Sequence, residues 1–85
     1  METYVSGLDT ATATALDARV RAAVAQLQGR DVELRLLGFF ALVEEETCMW
    51  ILEAAGAGEV AGVSRRAGVR DWHVAEVTTL EPDCR

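Results

Sequence analysis

Residues 34–43 and 48–54 are apolar at nearly every position, interrupted only by Arg35 and Gly38 in the first run and Glu53 in the second. A strand with one face in water alternates apolar and polar side chains, so a hairpin built from these two runs asks for cover on both faces. A chain of 85 residues carries helix enough for one face only. The other face therefore needs a second subunit or a ligand.

The rest of the chain supplies the elements around that hairpin. Thr3 to Ser6 reads as a short strand closed by Gly7. Asp9 or Thr10 then offers an N-cap oxygen to a helix of about five turns. Leu16, Val20, Ala23, Val24 and Leu27 recur along it at spacings of three and four, and Gly29 fits its end. The three glutamates Glu44, Glu45 and Glu46 make a polar turn between the two apolar runs. After Gly56 and Gly58 a second helix carries Val60, Val63 and Ala67 and stops at Gly68. A last strand spans residues 73–79, alternating as an edge strand does, and residues 81–85 form a tail.

Strand, helix, strand, strand, helix, strand is a duplicated split βαβ unit, the order of the ferredoxin-like α+β fold. It predicts one domain over residues 1–80, a four-stranded antiparallel sheet with the first and third strands central, and both helices on one face. The open face is read as Leu37 and Phe39 together with Cys48, Trp50 and Leu52. That parity is free to shift by one residue, and a bulge at Gly38 would switch it midway. Such a domain buries roughly 60% of the surface its unfolded chain exposes, and leaving five large side chains wet would forfeit several kcal/mol. A face-to-face homodimer follows as the expectation.

A formal charge of −6, with arginine as the only strong cation and no lysine, argues against a nucleic-acid partner, which requires clustered basic residues. No apolar run approaches the roughly 20 residues of a bilayer span, and no signal-peptide pattern opens the chain. The expectation is a cytoplasmic protein without a membrane partner. Cys48 and Cys84 do not make a disulfide framework. Arginine without lysine, with abundant alanine and valine, reads compositionally as a GC-rich bacterial source.

The acidic run Glu44-Glu45-Glu46, the strand end Glu53-Ala54 and the helix exit Arg65-Arg66-Ala67-Gly68 resemble a small bacterial family of unknown function, over roughly residues 4–80. One branch of that family binds nickel as a ferredoxin-like dimer. The resemblance implies a dimeric binding protein for a divalent transition metal such as nickel. The chain departs from the family pattern at Val69-Arg70-Asp71-Trp72 and at Leu52, where the family carries an aromatic. Nickel favours imidazole and thiolate donors, and His73 is the only histidine.

The candidate metal ligands are thus His73, from one or both subunits, and Cys48 approaching across the sheet. The alternatives are a hydrogen-bonded structural histidine and a buried cysteine acting as a small hydrophobe. Tyr4, Arg35, Leu37, Phe39 and Trp50 are the candidates for a ligand pocket or a dimer interface on the open face. Glu44 to Glu46 read as a solvated turn, and Arg65 and Arg66 as complements to the helix dipole. No catalytic residue is assigned. Two further function classes stay open: a dimeric α+β barrel enzyme of monooxygenase, cyclase or isomerase type, with His73, Tyr4 or Arg35 as acid/base or orienting groups, and a structural or regulatory subunit.

Overall fold

The computed structural model describes residues 1–69 and 72–75. It contains β1 (Glu2–Tyr4), α1 (Thr10–Gln28), β2 (Leu34–Leu42), β3 (Thr47–Ala54), α2 (Ala57–Ala67) and β4 (Trp72–His73). The strands form one antiparallel sheet in the order β2-β3-β1-β4. This is the expected ferredoxin-like arrangement, with β1 and β3 central. Of the last strand expected over 73–79, residues 76–79 lie outside the described residues, as do the tail and Cys84.

α1 begins where Asp9 accepts a hydrogen bond from the Thr12 amide at 2.7 Å, satisfying one of the first-turn N–H groups. Its buried stripe is Ala13, Leu16, Val20, Ala23, Val24 and Leu27, the predicted face with one alanine added. α2 ends at Gly68, whose φ of 71° is open to glycine at little cost. Arg19 of α1 reaches this end and donates to the carbonyls of Ala67 at 2.8 Å and Gly68 at 3.1 Å. One helix therefore closes the other's C-terminus with a cation.

The core lies between the helices and one sheet face. Trp50 and Cys48 of β3, Leu34 of β2, Val20 of α1 and Val63 of α2 meet there, with Trp50 only 1% exposed. β1 is extended by reciprocal bonds between Met1 and Trp50, at 2.8 and 2.9 Å. Every buried side-chain nitrogen or oxygen among the described residues has a partner, as interiors require.

The parity of the hairpin is the main departure from the sequence reading. Phe39, Cys48, Trp50 and Leu52 point to the helices, and Phe39 stacks on Trp50 with ring centroids 5.0 Å apart. A register shift lies between Leu36 and Gly38. Leu34 and Leu36 face inward before it and Phe39 after it, so the bulge expected at Gly38 is present and does switch the face.

Candidate functional site

Among the described residues nothing covers the sheet face away from the helices, where Tyr4, Leu37, Phe40, Leu42 and Ile51 are exposed. Across it run rows of directly paired residues, which share a face in an antiparallel ladder. Arg35 pairs with Glu53, Gly38 with Ile51, Phe40 with Met49, and Leu42 with Thr47. The last two rows continue into β1 as Glu2 and Tyr4, and Glu2 pairs onward with His73. Tyr4, Leu37, Phe40, Leu42 and Ile51 are exposed at 36–60%. The ring of Phe40 leans over Gly38, 3.5 Å from where a Cβ would lie, an ordinary packing distance.

At one end of the face the turn between β2 and β3 is fastened to β1. Glu46 has φ of 52° and accepts hydrogen bonds from the Tyr4 hydroxyl at 2.8 Å and from the Gly7 amide. Its backbone carbonyl takes the Val5 amide at 2.7 Å. The Gly7 bond first and the Tyr4 bond second hold the Glu46 carboxyl below its ordinary range, while the same carboxylate pushes the Tyr4 phenol up. Glu44 and Glu45 are left exposed at the turn. At the opposite end, Arg35 Nε stands 3.9 Å from Glu53 Oε1 with both side chains well exposed, a loose pair in water.

The predicted site residues divide between the two faces. Tyr4, Arg35 and Leu37 lie on the open face, though Tyr4 and Arg35 sit at opposite ends of it. Phe39 and Trp50 belong to the core, which corrects their assignment to an open-face pocket or interface. His73 is on the open face beside Glu2, whereas Cys48 pairs with Thr3 on the helix side. His73 and Cys48 are therefore on opposite sides of the sheet, and the pair cannot close round one ion. No cluster of three or more histidine, cysteine or acidic side chains fit for a metal occurs among the described residues.

Cys48 is fully buried. Burial first, and the charge of Asp17 second, push its thiol up, away from the thiolate that nucleophilic chemistry needs. Asp17 also accepts from the Trp50 indole at 3.0 Å and from Arg21 at 2.8 Å. These residues form a structural polar pin between α1 and β3.

Two shallow grooves lie at the edges of the helix–sheet seam, one reaching Arg35 and the other Tyr4. One of about 240 Å³ runs between α1 and β2 beside Arg21, Gln28 and Arg35. The other, about 270 Å³, is bounded by Thr3, Val5, Leu16, Arg19 and Val69. Both are solvent-open and smaller than the ~300–1,000 Å³ of enclosed small-molecule sites. Sequence reasoning missed Phe40, Leu42 and Ile51, with the half-buried Met49, as the open-face set. The signal was Glu53: as the only charge in its run it marks 49, 51 and 53 as the solvent parity.

No helix among the described residues is long and apolar enough to cross a membrane. No family model matches this chain, and neither a curated protein nor a solved structure matches it.

Proposed function

We propose that this chain is a small association module whose open sheet face pairs with a second copy to form a homodimer. The observation that supports this reading is the contiguous apolar patch of Leu37, Phe40, Leu42, Ile51 and Tyr4, each more than a third exposed. These side chains present roughly 500 Å² of surface, at the upper end of what a soluble monomer shows. With the polar positions around them the face approaches the ~800 Å² per partner of a standard interface. Burying that apolar surface is the favourable term set against an association cost of ~4–15 kcal/mol. The test is the mass in solution across a micromolar concentration series. A dimer of the 9.2 kDa chain is expected, and a monomer throughout would contradict the reading.

The pairing of Glu2 with His73 favours a second reading, in which the dimer holds a divalent transition ion. Imidazole and carboxylate suit such ions, and two copies supply two of each where one chain supplies too few. Glu2 and His73 would be the ligands, with Cys48 excluded by the sheet between them. Elemental analysis of protein purified without a chelator or metal-affinity tag tests this. Metal lost on His73→Ala supports it, and metal-free wild-type dimer counts against it.

A further inference from the structure

Resting on the homodimer reading, we propose that the second copy stacks with its two-fold axis running across the strands, near the Phe40–Met49 row, so that the two acidic turns lie at opposite ends of the interface. Two sheets meeting face to face can be related by an axis along the strands or across them. An axis along the strands sets the turn of one copy, with Glu44, Glu45 and Glu46, against the same turn of the other. Six carboxylates then gather at one rim, an arrangement opposed by like-charge repulsion.

An axis across the strands separates the two turns: each end then carries one attraction, Arg35 over the partner's Glu44, beside one like-charge approach, Glu53 over Glu45, in place of six carboxylates at one rim. Along β3 and the turn before it, Glu53 lies four residues to one side of Met49 and Glu45 four residues to the other. Along β2 and the turn after it, Arg35 and Glu44 flank Phe40 in the same way once the bulge between Leu36 and Gly38 is taken out. Rotation about the middle row therefore lays the Arg35 end of each copy over the partner's turn. Arg35 is free to take part because its bond to Glu53 is long and solvent-exposed. The apolar rows match under the same rotation: the Leu42–Thr47–Tyr4 row of one copy falls on the Leu37, Gly38 and Ile51 region of the other. In the middle row Glu2 has the neighbouring His73 imidazole beside it.

Distances between copies decide the orientation. Nitroxide labels are attached to Glu53→Cys and, separately, to Glu45→Cys in a Cys84→Ser chain, where the remaining native thiol, Cys48, is buried. Both labelled positions are exposed. With strands rising about 3.4 Å per residue and stacked sheets ~10 Å apart, the axis across the strands places each label about 30 Å from its own copy. The axis along the strands places them at about 10 to 15 Å, where the spectrum broadens. Short distances at both sites overturn the orientation while leaving the homodimer intact. Sedimentation of the same samples reports the dimer itself, and a monomer there sinks the underlying reading. As a second measurement, Arg35→Glu weakens the dimer by about tenfold and the Arg35→Glu, Glu44→Arg double variant recovers most of it. Weakening by the single change with no recovery in the double overturns the proposed contact.

Discussion

The indole N–H of Trp50 donates to the Asp17 carboxylate at 3.0 Å, joining the centre of the sheet to the middle of α1. The ring itself is buried and stacked on Phe39, so Trp50 combines bulk on the helix side with one directed polar bond. Asp17→Ala leaves that N–H without its acceptor and also releases Arg21. The expected loss is about 1 to 3 kcal/mol, read from urea unfolding. Trp50→Ala, which removes the ring, is expected to lose about 3 to 5 kcal/mol. A near-neutral Trp50→Ala would contradict the assignment of Trp50 to the core.

Arg19 is a helix cap supplied from a neighbouring helix. Arg19→Met keeps much of the aliphatic stem and removes both bonds to the end of α2. The expected cost is about 1 to 3 kcal/mol, with faster amide exchange confined to the last turn of α2. Gly68→Ala strikes the same joint, since its new Cβ would lie 2.7 Å from Arg19 Nη2 and its φ is positive. It is expected to destabilise by at least about 1 kcal/mol.

The Glu46 clasp makes the turn sensitive to acid. The folded-state carboxyl titrates below its ordinary value, so its contribution to stability is present above the unfolded value and is lost as pH falls through the folded one. Between about pH 5 and pH 2 wild type therefore loses stability that Glu46→Gln does not. Tyr4→Phe removes one of the two donors to the carboxylate, leaving the Gly7 amide, and is expected to lie between them. Parallel stability profiles for wild type and Glu46→Gln would count against the clasp.

Cys48 is expected to be chemically silent in the native protein. In a Cys84→Ser chain, a thiol reagent should react only at the rate of unfolding, because burial and Asp17 keep the thiol protonated. Rapid labelling at neutral pH would show that β3 opens or that the thiol is activated.

The course of the chain was legible where one period dominates. α1 carries an unbroken helical stripe and a side-chain cap, and α2 ends at a glycine that the αL conformation requires, so both were readable from residue spacing. The sheet order followed from the succession of elements. The hairpin parity was not readable from hydrophobicity, because an apolar run on both faces has no period of two. Charge carried that information instead: Arg35 and Glu53 are opposite one another across the strands and fix the solvent face at that end. The bulge beyond Leu36 then hands the core position to Phe39 and the open position to Phe40. The separation of His73 from Cys48 rests on register instead: His73 pairs with Glu2 and Glu2 with Met49, one residue from Cys48, so the two donors are on opposite faces whichever face meets the helices.

If a second copy covers the open face, as proposed, sedimentation equilibrium separates wild type from Phe40→Glu. Phe40 is half-exposed in the single chain, so the change is expected to alter fold stability by no more than about 0.5 kcal/mol. Wild type should sediment as a dimer and Phe40→Glu as a folded monomer. A monomeric wild type, or a dimer that Phe40→Glu leaves intact, would contradict the account.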